Sequence, residues 1–191
     1  LQPPFFDPNA DPAVNFGAIA AVIGHEFGHG FDDQGSRLDG DGRLRDWWTP
    51  GSRKQFEMRT AGLVSQFSAY EPVPGTRING AQNLGENIGD LGGLSIAYEA
   101  YRKYVKETQG GKEILLDGYS GNQRFFLSWA QIWRSLITPD EERRRILSDN
   151  HSPGEFRTNG VVRNMDAWYD AFAVKPGDAL YLPPDQRVRI W

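Results

Sequence analysis

The sequence predicts a mainly α fold with few short strands. Three observations carry this. Apolar residues recur at helical spacing in several long stretches, Pro stands directly behind Asp or Thr at Asp11-Pro12, Thr49-Pro50 and Thr138-Pro139, and no stretch alternates apolar and polar residues long enough to build a substantial sheet. With 191 residues, six Trp, seven Tyr and eleven Phe, the chain can bury one sizeable core, so residues 1–191 are expected to form a single unit.

Taken in order, a helix is expected from Asp11-Pro12 to about Phe31, with Asp11 as its cap. Gly17, Gly24 and Gly28 lie inside it, each costing about 1 kcal/mol relative to Ala, so packing against other backbone must hold it. Residues 32–48, rich in Gly and Asp, read as a long loop or short hairpin. Asp39-Gly40-Asp41-Gly42 within it is a turn, because the downstream glutamate of a calcium loop is missing. Thr49-Pro50 opens a helix with Phe56, Leu63, Phe67 and Tyr70 on one side, ended by the turn at Glu71 to Gly75. A long helix follows from about Asn83 to Glu107, with Leu84, Ile88, Leu91, Tyr98, Tyr101 and Val105 inward. The next, from Ser120 to Leu136, buries Phe125, Trp129, Ile132, Trp133 and Leu136. Thr138-Pro139-Asp140-Glu141 reads as a capping box for a helix to about Leu147, Asn150 to Gly154 break the chain, and Asn164 starts a last helix to Phe172.

Charge and composition exclude several function classes. Lys and Arg number 21 against 25 Asp and Glu, for a net charge of -4, so there is no basic footprint for nucleic acid. No stretch reaches the roughly 20 apolar residues of a membrane span. There is no cysteine, which leaves His and carboxylates as the protein ligands available to a zinc ion. Leu1-Gln2-Pro3-Pro4-Phe5-Phe6 has neither an initiating Met nor the apolar core of a signal peptide, and reads like the middle of a longer chain.

Chemistry concentrates in three short segments. His25-Glu26-Phe27-Gly28-His29 is His-Glu-x-x-His. On a helix the two imidazoles share one face and can reach one metal ion, while Glu26 beside them can reach a water. Two histidines at this spacing also occur for packing alone, so a further ligand is needed, and catalytic zinc usually takes three. Glu86 and Asp90, four apart on the long helix, supply it: one carboxylate can bind metal while the other accepts the spare N–H of a ligating histidine, although alone they would read as a solvated pair. His151, the third and last histidine, sits in Asp149-Asn150-His151-Ser152-Pro153, where Asp149 can orient its ring and the ring can donate to a developing oxyanion. Arg157 offers a fixed fork of donors for a carbonyl or carboxylate, with a plain ion pair as the alternative.

His25-Glu26-x-x-His29-Gly30-Phe31-Asp32, Gly85-Glu86-Asn87-x-x-Asp90 and His151-Ser152-Pro153-x-x-Phe156-Arg157, in this order, resemble the neprilysin and endothelin-converting enzyme family of zinc metallopeptidases. Leu1 to Phe6, Asp46-Trp47-Trp48 and the terminal Trp191 extend the resemblance over essentially the whole chain. The resemblance implies a gluzincin, with a zincin-type, thermolysin-like carboxyl-terminal catalytic subdomain. It implies one Zn2+ per chain on His25, His29 and Glu86, with Glu26 as general base and Asp90 behind a ligand histidine. His151, oriented by Asp149, would stabilise the transition state, Arg157 would bind substrate backbone, and Val22, Ile23 and Trp133 would line a hydrophobic substrate pocket, where by themselves they read as core residues. The implied reaction is endopeptidase cleavage of short peptides on the amino side of hydrophobic residues. The cysteine-free tail is similar to bacterial members, and extracellular or periplasmic placement is favoured, with the cytoplasm left open. The family's substrate-pairing edge strand and helical lid domain are not in these residues. The competing expectation is therefore a zinc-binding but inactive piece that needs the amino-terminal part of the same enzyme to align a substrate.

Overall fold

The computed structural model describes all 191 residues, and helices account for nearly all of its regular structure. They are α1 (Pro12–Asn15), α2 (Ala21–Gly28), α3 (Pro50–Ser68), α4 (Leu84–Thr108), α5 (Gly121–Ile132), α6 (Pro139–Ser148), α7 (Gly154–Val162) and α8 (Asp166–Phe172). Strand pairing is limited to isolated bridges such as Leu38↔Leu44, which closes the turn at 39–43 where Asp39 accepts the Asp41 and Arg43 amides.

The helix expected over 12–31 is continuous but changes its winding. A π-helical turn, Phe16–Ala20, separates α1 from α2, and a 3-10 turn, His29–Phe31, follows. At the π turn the Ile19 amide bonds the Phe5 carbonyl and the Val14 carbonyl accepts from Ser128, so outside partners take up groups that an α-helix would pair internally. Asp11 makes no capping bond. Its carboxylate is instead paired with Arg124 of α5 at 2.8 Å, a charge partner that outcompetes the backbone.

Helix α4 is the axis of the fold. Its first half is buried on nearly every side, polar Glu86, Asn87 and Asp90 included, and Ile88, Leu94, Ala97, Tyr101 and Val105 continue into the core. Helix α2 lies against it with almost no side chain between them. A Cβ on Gly93 would fall 2.4 Å from the His25 amide nitrogen, and one on Gly24 would fall 2.9 Å from the Gly93 backbone. The glycines that weaken α2 as an isolated helix are thus what brings its histidines to α4. Around this pair α5 supplies Phe125, Phe126 and Trp129, which are buried, each contributing about 1.5–3 kcal/mol.

Other boundaries follow local signals. Thr49 accepts from the Ser52 amide with Pro50 behind it, and Ser120 and Gln123 form a reciprocal capping box at α5. At α6 only half of the expected box forms: Thr138 accepts the Glu141 amide, but the Glu141 carboxylate turns to Arg144 and Arg145. Helix α5 stops at Ile132 rather than 136. The Gly154 backbone crosses at the Trp133 carbonyl, and Leu136, expected to be buried, is fully exposed. Helix α7 was not expected, because Gly154, Thr158, Asn159 and Gly160 are weak helix formers. Packing overrides that weakness, with Gly160 seated against Phe67 and Val161 buried. The carboxyl terminus is tied down as well: Trp191 stacks on Phe56 and Trp48, and Arg59 holds the Ile190 carbonyl.

Candidate metal centre

Helix α2 presents His25, the 3-10 turn that continues it presents His29 one turn further on, and α4 presents Glu86 to both. Glu86 Oε2 lies 3.2 Å from His25 Nε2 and 3.7 Å from His29 Nε2. These three donors are a group whose ligand atoms all fall within 4.8 Å of one another. Zinc bonds of about 2.0–2.2 Å at tetrahedral angles separate neighbouring ligand atoms by roughly 3.3–3.6 Å, so the observed spacing suits that ion. One atom supports the fit independently: Glu86 Oε2 is buried and has no aligned hydrogen-bond partner.

Each imidazole is held by its other nitrogen. His25 Nδ1 meets Asp90 Oδ1 at 2.8 Å, and His29 Nδ1 meets Asp32 Oδ2 at 2.8 Å. Nδ1 then carries the proton and Nε2 is left to face Glu86. Asp32 is fixed in turn by the Gln34 and Gly35 amides. Sequence reasoning gave Asp32 no role, though its place one turn beyond His29 was a usable signal. Gly89 completes the fit, since a Cβ there would lie 2.8 Å from His25 Nδ1.

Burial pulls His25 down, but contacts with Asp90 and then Glu86 outweigh it and raise the imidazole to about 9. Burial would raise Glu86, yet His151 and His25 hold it well below the usual carboxylate range. His151 is raised, foremost by Glu86 and also by Asp149, against the opposing effect of burial. Asp149 is lowered: burial works against this, and the amide and ring of His151 prevail.

A segment from between α6 and α7 closes the site. His151 Nε2 stands 3.0 Å from Glu86 Oε2, and its Nδ1 is 2.8 Å from Asp149 Oδ1. Arg157, on α7, is buried and bidentate to Asp90, with Nε at 2.7 Å and Nη2 at 2.6 Å, and its guanidinium lies 3.6 Å from the Trp133 ring. Asp90 therefore joins His25 to the arginine. A cleft of about 630 Å3 runs beside these groups, with Trp133, His151, Pro153 and Arg157 in its lining. Glu26 is exposed on α2, and Ile23 is exposed on its outward face. Val22 is partly buried against the core, and neither Val22 nor Ile23 lines that cleft.

The sequence profile of peptidase family M13 matches residues 1–188. The chain belongs to peptidase family M13. It is 41% identical over its whole length to endothelin-converting enzyme 1 of Bos taurus and 44% identical to neprilysin-11 of Caenorhabditis elegans. It spans only 25% and 22% of those relatives, about a quarter of their length. Among solved structures, the Mycobacterium tuberculosis zinc metalloprotease Zmp1 in complex with an inhibitor superposes with a TM-score of 0.95 at 56% identity, over all of this chain and 29% of that one. The mainly α arrangement is that of the M13 fold. No helix of this M13 chain is long and apolar enough to cross a membrane.

Proposed function

We propose that this chain carries the zinc-binding, carboxyl-terminal part of an endopeptidase that cleaves short peptides on the amino side of hydrophobic residues, using one Zn2+ on His25, His29 and Glu86. The observation that carries this reading is the convergence of those donors, with the buried Glu86 Oε2 among them left without an aligned hydrogen-bond donor. Zinc, when bound, supplies Lewis acidity that acidifies water and polarises a carbonyl.

The remaining chemistry belongs to side chains. Glu26, exposed and adjacent to His25, takes a proton from the attacking water and returns it to the leaving amine. His151 donates its Nδ1–H to the Asp149 carboxylate, so donation from Nε2 to the carbonyl oxygen requires the imidazolium. The Asp149 carboxylate on Nδ1 stabilises that form. Asp90 keeps the His25 tautomer and the Arg157 guanidinium in register. Because Nε and Nη2 of Arg157 both serve Asp90, Nη1 is the nitrogen left for a substrate carbonyl. Trp133, beside it in the cleft, gives a hydrophobic side chain a surface to pack on.

A second reading has its own support. Ile23, Phe27 and Phe31 form an outward apolar stripe on the metal-binding helical run, and the relatives are about four times as long as this chain. On this reading the stripe receives the rest of the polypeptide, the amino-terminal part, and without it zinc is held but no substrate is aligned. Hydrolysis of a quenched fluorescent peptide with a hydrophobic residue after the scissile bond separates the two. Activity that vanishes on chelation and returns with zinc supports the first, and stoichiometric zinc without activity supports the second. Activity untouched by chelation would sink both.

A further inference from the structure

The two oxygens of Glu86 have different surroundings. Oε1 accepts from Asn150 Nδ2 at 3.0 Å, whereas Oε2 has no aligned donor and faces the Nε2 atoms of His25, His29 and His151. A carboxylate can bind a metal through one oxygen or through both. A donor fixed on one oxygen takes up its lone pair and turns the other toward the ion. Asn150 is well held for that task. The Asp149 carbonyl before it accepts from Gln82 and Asn83, and Ser152 after it bonds Asn87 at 2.8 Å. Gln82 and Asn83 immediately precede α4 and Glu86 and Asn87 lie in its first turn, so the segment 149–152 is tied to the stretch of chain that carries Glu86.

We propose that Asn150 is a positioning residue that holds Glu86 to the metal through Oε2 alone and, as the neighbour of His151, sets the distance between that ligand and the ring. The inference rests on the metal reading above. Neither the His-Glu-x-x-His helix nor the Glu86–Asp90 pair signals it, because Asn150 and Glu86 are 64 residues apart in sequence. An amide suits the role, since it donates at every working pH and adds no charge beside the carboxylate.

The test uses the 191-residue chain with Zn2+ and with Co2+ as probes. Zinc affinity is measured by competition with a chelator, and the visible absorption of the cobalt form reports coordination number. Asn150→Ala is expected to weaken zinc binding about 10-fold, within the 10–100-fold range for partners of ligands. It should also shift the cobalt bands toward the weaker absorption of a higher-coordinate ion as Glu86 Oε1 becomes free to bind. Asn150→Asp, which matches the shape and cannot donate, should weaken binding at least as much. Gln82→Ala loosens the same segment without touching Glu86 and should leave the spectrum unchanged. Unaltered affinity and spectrum in both Asn150 variants would overturn the proposal, as would an equal effect from Gln82→Ala. A parent chain that takes up no zinc would instead overturn the metal reading itself.

Discussion

On the inward side of α2, His25 is 4% exposed, its Nδ1 is bonded to Asp90 and its backbone touches Gly93. On the outward side of the same helical run, Ile23, Phe27 and Phe31 are 48%, 77% and 52% exposed. The inward face is organised by partners within the chain: Asp32 and Asp90 fix the rings, Glu86 faces them, and Asn150 and Arg157 fix the carboxylates. The outward face has looser apolar contacts instead, such as Trp191 edge-on to Phe31. This difference separates two requirements that a peptidase must meet. The three proposed metal donors all lie within these residues, while the surface beside Glu26, where a substrate would be aligned, is open.

The largest expected effect tests whether the open side still holds the general base. Glu26→Gln should lower peptide hydrolysis by about 10^2–10^4-fold, the usual contribution of acid–base catalysis, and leave zinc content unchanged. Parallel metal analysis and kinetics decide it, and parent-like turnover would remove Glu26 from the mechanism. On the inward face, Asp90→Asn leaves the Arg157 charge buried without its pair and loosens His25. A loss of about 3–5 kcal/mol in denaturant unfolding and a 10–100-fold loss of zinc affinity are expected together. A stability loss with unchanged zinc affinity would mean that Asp90 serves only the arginine.

The pH dependence should have opposite signs in the two metal states. In the metal-free chain His25 is raised from 6.5 to about 9, so the stability it contributes is fully present below pH 6.5 and is lost as pH rises toward 9. Zinc needs the deprotonated Nε2, so its affinity should grow across that same window, with proton release on binding detectable by calorimetry in two buffers. Metal affinity flat from pH 6.5 to 9 would show that His25 has no proton to lose. Smaller still, Gly93→Ala should cost about 1–3 kcal/mol by forcing α2 and α4 apart, whereas Phe27→Gln should stay within about 0.5 kcal/mol in the isolated chain. Equal melting points for the two would erase the contrast between the faces.

Much of the α fold was legible because its signals are local: Thr49-Pro50, Ser120 with Gln123, and the spacing of Ile88, Leu91, Tyr101 and Val105 need only neighbours in sequence. What failed depended on distant partners. Asp11 caps nothing because Arg124 claims it, Leu136 is exposed because the chain is crossed at Trp133, and α7 exists only because Phe67 and Trp133 receive its glycines. At the site the same division holds. His25, His29, Glu86 and Asp90 announce themselves by four-residue spacing, and the structure places them together. Asp32, one turn beyond His29, was within the reach of pattern, whereas Asn150 acts across 64 residues and was not.

The most direct test of the account is zinc content by mass spectrometry after dialysis, for the parent chain and for Glu86→Ala. One zinc per parent chain, with more than about a 100-fold loss of affinity in the variant, is the predicted result, since losing a ligand should exceed the loss of any of its partners. Zinc retained equally by both would show that Glu86 is no ligand and that the convergence on its Oε2 has another cause.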